Sequence, residues 1–119
     1  MATRVLLIDD DLQILSILQK GLAFEGFEVY TAVDGESGLA ATKQYQPHLI
    51  LLDIAMPDLS GYDVARNLRL DTTSPRIVLI ALTGYGQDGD KERAHEAGFD
   101  HHLTKPVDPS KLEALISGY

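Results

Sequence analysis

The stretch His48-Leu49-Ile50-Leu51-Leu52-Asp53 decides how this chain folds. It is too short to cross a membrane, and its apolar residues are continuous instead of alternating. A strand reads this way when it lies in a parallel sheet and is covered by helices on both faces. The residues that follow, Ile54-Ala55-Met56-Pro57-Asp58-Leu59-Ser60-Gly61, cannot continue it, because Pro57 lacks a ladder donor and Ser60 before Gly61 has the chemistry of a helix cap. Asp53 is therefore delivered to the point where strand becomes loop. A carboxylate there serves either as a turn residue or as a reactive group, and the rest of the chain decides between the two.

Outward from this strand the same pattern recurs. Val5-Leu6-Leu7-Ile8 is a second continuous apolar run and ends in Asp9-Asp10-Asp11. Leu15, Leu18 and Leu22, with Ile14 and Phe24 nearby, recur at helical spacing up to a stop at Gly26. Phe27 to Thr31 alternates as an outer strand, and Gly35 to Tyr45 forms a short helix that Pro47 closes. Beyond Gly61, Val64, Ala65 and Leu68 mark a third helix, and Thr72-Thr73-Ser74-Pro75 is loop. Arg76 to Leu82 forms a fourth strand that ends at Thr83-Gly84. Gln87 to Ala97 is a helix with only Ala94 and Ala97 as its apolar stripe, amid charges at Asp88, Asp90, Lys91, Glu92, Arg93 and Glu96, so it is weakly anchored. Phe99 to Thr104 is a fifth strand running into Lys105-Pro106. Asp108 caps a last helix that has Pro109 at its first position and Leu112, Leu115 and Ile116 on its buried side.

Five strands alternating with five helices specify an α/β fold, a doubly wound five-stranded parallel sheet. At 119 residues it is one domain with no repeats or linkers. The absence of cysteine excludes a disulfide framework, thiol catalysis and cysteine-ligated zinc. No run is long enough for a membrane span and no signal peptide is evident at Met1, so a cytoplasmic location away from membranes is expected. Ten Lys plus Arg against eighteen Asp plus Glu give a net charge of -8, which argues against direct nucleic-acid binding and for a divalent cation or a basic partner.

Ligands of such sheets bind beyond the carboxyl ends of the strands, where strand order reverses. In the order 2-1-3-4-5 that point lies between strands one and three, which end in Asp9-Asp10 and Asp53. Strands four and five add Thr83 and Lys105. Any one of these is ordinary strand-end chemistry, but together they suit a reaction. Crowded carboxylates repel one another unless a divalent cation neutralises them, and magnesium prefers oxygen ligands with a substrate phosphate. A carboxylate nucleophile beside a divalent cation, a hydroxyl and an ammonium suits phosphoryl transfer, with an aspartyl phosphate on Asp53 as product. Thr83, Lys105 and a backbone amide near Ala55 or Gly84 would then engage the phosphoryl oxygens.

With these residues in hand, the chain resembles the receiver domain of two-component response regulators over essentially all of residues 1–119. Asp9-Asp10, Asp53 followed by Met56-Pro57 and Gly61, Ala81-Leu82-Thr83, and Lys105-Pro106 fall in the family's order. The flavodoxin-like strand order above is in part inherited from this resemblance. The resemblance implies that Asp53 takes phosphate from a sensor histidine kinase, in cis or in trans, or from a histidine phosphotransfer protein. It implies magnesium or manganese bound by Asp10 and Asp53 directly, by Asp9 through water and by the Ala55 carbonyl. It also implies a cis Lys105-Pro106 peptide, and a domain that supports its own phosphotransfer and autodephosphorylation without being a conventional enzyme. Residues 98–109 look most like receivers attached to hybrid sensor kinases.

Two departures stand out. The family's aromatic switch position, three residues before the lysine, is His102, which pairs with Thr83 as the expected switch or else is an ordinary half-exposed strand histidine. Neighbouring His101 is expected on the opposite face of the strand. In addition, nothing follows the fifth helix, so no output domain is expected in this sequence. A dehalogenase-like phosphatase would need Thr or Val where Gln13 stands and would leave Asp53 to Pro57 unexplained. A flavin site fails because the first loop is acidic. A catalytically silent receiver used only for binding is the remaining alternative, disfavoured because every reactive position is filled.

Overall fold

The computed structural model describes residues 2–56, 58–70, 76–84 and 88–117, with the backbone alone for residues 88–91. Pro57, the expected loop 72–75, the helix start at Gln87 and the side chains of Asp88, Asp90 and Lys91 lie outside the described residues. The elements run β1 (Arg4–Ile8), α1 (Leu12–Phe24), β2 (Glu28–Ala32), α2 (Gly35–Tyr45), β3 (Leu49–Asp53), α3 (Gly61–Leu70), β4 (Val78–Thr83), α4 (Asp88–Ala97), β5 (His101–Thr104) and α5 (Pro109–Ile116). All strand pairs are parallel and the sheet order is β2-β1-β3-β4-β5, the expected doubly wound arrangement.

Successive strand residues face opposite sides of a sheet, and here that splits the core in two. Leu6, Ile8, Ile50, Leu52, Leu79 and Ala81 pack on one side with Val64 and Ala65 of α3 and Ala94 and Ala97 of α4. Val5, Leu7, Leu49, Leu51, Ile80 and Leu82 pack on the other with Leu15, Leu18 and Leu22 of α1 and Leu112 and Ile116 of α5. All five residues of β3 are buried, as its unbroken apolar run requires. Phe24, expected near the apolar side of α1, is instead 88% exposed. At about 100° per residue it points away from the Leu15, Leu18, Leu22 stripe, so spacing excludes it from the core. The weak stripe of α4 is supplemented by Arg93, whose guanidinium lies 4.5 Å from the centroid of the buried Tyr62 ring on α3.

Caps set where the helices begin. The Asp11 carboxylate accepts from the Gln13 and Ile14 amides, and Asp108 accepts from Ser110. Ser60 Oγ accepts from the Asp63 amide, as a capping serine should. The start of α2 has two acceptors. Asp34 takes the Ser37 amide at 2.7 Å, and Asp58, from the loop after β3, takes the Gly35 and Glu36 amides at 3.1 Å each. α1 closes through Gly26 in the left-handed region, φ 96°. At the opposite edge of the sheet Asp100 is held by Arg69 and Arg76, each at 2.8 Å, and by the Leu79 amide at 2.9 Å, while Arg69 also donates to the Gly98 and Ile77 carbonyls.

Gly61 opens α3 directly beneath the end of β3. A Cβ there would stand 2.5 Å from Ile54 Cα and 2.9 Å from the Asp53 carbonyl oxygen, both backbone atoms with little freedom to yield. Gly61→Ala is therefore expected to destabilise the fold by about 2 kcal/mol or more, in the range of overpacking with backbone displacement. Chemical denaturation measures this, and an unchanged midpoint would show that the loop yields freely.

Candidate functional site

The strand order places the carboxyl ends of β1, β3, β4 and β5 side by side, with Ile8 in register with Leu52, Asp53 with Leu82, and Thr83 with Thr104. The predicted site residues converge there. Asp9 and Asp53 are each 2% exposed and Thr83 is fully buried, whereas Asp10 is exposed to solvent. A carboxylate oxygen from each of Asp9, Asp10 and Asp53 lies within 4.8 Å of the others. Lys105 enters from the loop after β5, with Nζ 3.2 Å from Asp53 Oδ2 and 3.4 Å from Asp9 Oδ2. The Lys105-Pro106 peptide is cis, as the resemblance implied.

Local hydrogen bonds aim the two buried carboxylates. The Asp11 amide donates to Asp9 Oδ1 and the Ala55 amide to Asp53 Oδ1, so each carboxylate is turned by the backbone just beyond it. The second oxygens, Oδ2 of both residues, face Lys105. Asp9 Oδ2 is buried and takes no hydrogen bond, the ammonium at 3.4 Å being an ion-pair partner only. Burial pushes the Asp9 carboxyl up to about 6; the Asp11 amide offsets part of this and the Asp53 charge adds to it. Burial also works against the Lys105 ammonium, but Asp53 and then Asp9 outweigh it and hold its proton affinity above that of an ordinary lysine. A buried carboxylate oxygen without a hydrogen bond, two more carboxylates within reach and an all-oxygen donor set fit a hard divalent cation better than any softer metal.

Thr83 Oγ1 lies 2.9 Å from His102 Nε2 and 3.4 Å from the Leu103 carbonyl oxygen. Gly84 is exposed, and among the described residues a Cβ there would meet nothing within 4 Å. Beside the acidic cluster a groove of about 420 Å³ is lined by Ile14, Ile17 and Leu18 of α1 and by Gly84, Lys105, Pro106 and Val107. Sequence reasoning placed Asp9, Asp10, Asp53, Thr83 and Lys105 at this edge but missed the groove and the Asp58 brace. The only signal for the groove was Ile17, an apolar residue off the leucine stripe, which is 61% exposed. Among the described residues no helix is long and apolar enough to cross a membrane.

Known proteins resemble the whole of this arrangement. The family profile of the response regulator receiver domain matches residues 5–117. The transcriptional regulatory protein KdpE of Mycobacterium tuberculosis is 43% identical over 114 residues, 96% of this chain and 49% of the relative. The chain thus spans about half the length of such relatives. A CheY-like response regulator receiver domain protein from Methanospirillum hungatei superposes with a TM-score of 0.90 at 33% identity, covering 99% of this chain and 93% of the other. A co-crystal of the Saccharomyces cerevisiae histidine phosphotransfer protein Ypd1 with the receiver domain of its downstream response regulator Ssk1 gives a TM-score of 0.89 at 26% identity, covering 98% and 87%. None of these three is described as a hybrid kinase, so the expected likeness of residues 98–109 to hybrid-kinase receivers is left without support. The match over residues 5–117, carried by a five-stranded sheet with acidic residues at the ends of β1 and β3, establishes that the chain belongs to the response regulator receiver domain family.

Proposed function

We propose that Asp53 is the phosphoacceptor of a two-component phosphorelay. The observation that carries this reading is the placement of the Lys105 ammonium against Asp53 Oδ2 within a cluster of three carboxylates, two of them buried. An oxygen of the Asp53 carboxylate attacks the phosphorus of a phosphohistidine, the phosphorus–nitrogen bond breaks, and the departing imidazole keeps the electron pair. Phosphoryl transfer is mostly positioning and charge neutralisation, and the chain supplies both. Lys105 attracts one phosphoryl oxygen, the Thr83 hydroxyl another, and the Ala55 amide, now on Asp53 Oδ1, holds the attacking group in place. Asp10, Asp53 and the Ala55 carbonyl directly, and Asp9 through water, would hold magnesium or manganese, which would supply charge neutralisation for the carboxylates and the incoming phosphate.

The donor, a sensor histidine kinase or a histidine phosphotransfer protein, fits the groove beside Lys105. Its apolar wall of Ile14, Ile17, Leu18, Pro106 and Val107 suits an amphipathic helix that presents its histidine at the rim. The co-crystal of Ypd1 with a structurally similar receiver supports a histidine phosphotransfer protein as partner. The output surface is the neighbourhood of Thr83 to Val107. It contains α4, whose small apolar stripe makes it inexpensive to shift once Thr83 is drawn to the phosphoryl group. Incubation with acetyl phosphate and magnesium tests the central claim. The chain should gain one phosphoryl group, labile to base, and peptide mapping should place it on Asp53. Modification confined to another residue would overturn the reading.

A further inference from the structure

We propose that His102 is a positioning residue for this phosphotransfer, its Nε2–H donating to Thr83 Oγ1 and so turning the Thr83 hydroxyl proton toward the phosphoryl group. The inference rests on the reading of Asp53 as phosphoacceptor and specifies how this chain prepares the hydroxyl beside it.

The geometry leaves few arrangements. Thr83 is fully buried at the last position of β4. His102 is in register with Ala81 and therefore projects from the same side of the sheet as Thr83, one diagonal step away. A threonine hydroxyl has one proton to give and can accept in return, while a neutral imidazole donates from one nitrogen and accepts at the other. Around Oγ1 stand His102 Nε2 at 2.9 Å and the Leu103 carbonyl at 3.4 Å, and the carbonyl can only accept.

If the hydroxyl proton points to Nε2, the imidazole carries its own proton on Nδ1 and Thr83 has nothing left to donate. A phosphoryl oxygen arriving on Asp53 would then draw that proton away and leave two lone pairs facing each other across 2.9 Å in a buried site, a costly arrangement. If instead Nε2 carries the proton, Thr83 accepts from His102 and rests its own proton on the distant Leu103 carbonyl. From there the proton is released to a phosphoryl oxygen without disturbing the histidine. Of the two neutral tautomers, only this one keeps the 2.9 Å contact in the phosphorylated chain. A phenylalanine at this position would fill the space but lack the N–H, and a glutamine would place an amide N–H where Nε2 now stands.

Nitrogen-15 NMR of the beryllofluoride-bound chain, with magnesium, reads the tautomer directly, and titration of beryllofluoride into the wild type, His102→Gln and His102→Phe reads its effect. The expected result is a protonated Nε2 on His102 in the complex. With it, affinity in His102→Phe should fall about tenfold, the order of one buried hydrogen bond, and affinity in His102→Gln should stay within about twofold of the wild type. An Nδ1–H tautomer in the complex, or wild-type affinity in His102→Phe, would overturn the role of His102 while leaving Asp53 as acceptor. A wild-type chain that takes neither beryllofluoride nor phosphate would overturn both.

Discussion

Asp53→Asn is expected to abolish labelling by acetyl phosphate while the chain stays folded. The amide is nearly isosteric with the carboxylate and can still accept from the Ala55 amide, so packing at the end of β3 survives. The nucleophile does not. No neighbour is placed to take over. Asp9 is the other buried carboxylate, but it is turned by the Asp11 amide and its second oxygen stands farther from the same lysine, 3.4 Å against 3.2 Å for Asp53. Asp10 is exposed, with no ion pair to Lys105 among the described residues. Label incorporation should fall by at least about a hundredfold, the scale on which removal of a nucleophile is felt. Intact-mass measurement and a thermal melt on the same sample check both halves. Undiminished labelling in a folded Asp53→Asn chain would move the acceptor elsewhere.

The second large effect is on stability. In a chelator, the wild type should lose stability between about pH 4 and pH 6, and Asp9→Asn should lose much less. The sign follows from Asp9, whose folded-state value is pushed by burial from 3.8 up to about 6. Below 3.8 the carboxyl is protonated whether the chain is folded or not, and its contribution is fully present. Between 3.8 and about 6 the folded chain holds a proton that the unfolded chain has released, so stability falls as pH rises. Above 6 the loss is complete. A shift of this size corresponds to something on the order of 3 kcal/mol. Asp100 titrates in a separate window. Burial raises it, but the Leu79 amide, Arg76 and Arg69 together hold it below the ordinary carboxylate range, so its contribution is lost only as pH falls below 3.8. Subtracting the Asp9→Asn curve from the wild-type curve therefore isolates Asp9. At neutral pH, magnesium should restore what deprotonation removed, because a ligand of the folded form alone adds about 2.7 kcal/mol at a hundredfold excess over its dissociation constant. Equal magnesium stabilisation in Asp10→Ala would place the cation elsewhere.

The parts of this fold that were legible in the sequence are those where burial leaves little choice of residue. β1, β3 and β4 are covered on both faces, so their runs from Val5, Leu49 and Val78 are almost wholly apolar. The polar residue ending each run announces the edge where the candidate site lies. Features built from ordinary polar residues far apart in sequence were not legible. Asp58 reaches the start of α2 across 23 residues and Arg69 reaches Asp100 across 31, and neither pair differs locally from any other surface aspartate or arginine. The contact of Arg93 with Tyr62 was not legible for the same reason, since the two meet only once the helices are packed.

The helix caps bear on how this edge of the sheet selects its anion. In a parallel α/β fold every helix starts at the edge where the strands end, and each bare N-terminus is a generic socket for phosphate. Here four such sockets are already plugged from within the chain, α1 by Asp11, α2 by Asp34 and Asp58, α3 by Ser60 and α5 by Asp108. Three of the four sockets are plugged by negative charge, which turns free phosphate away. A nucleotide or an inorganic phosphate ion meeting any of these four helix starts finds amides already taken by a side chain of the chain itself. On the proposed reading, the phosphoryl group that stays is one transferred covalently at the place where Lys105 meets Asp53, and phosphate compounds that cannot make that transfer are not retained by the helix starts.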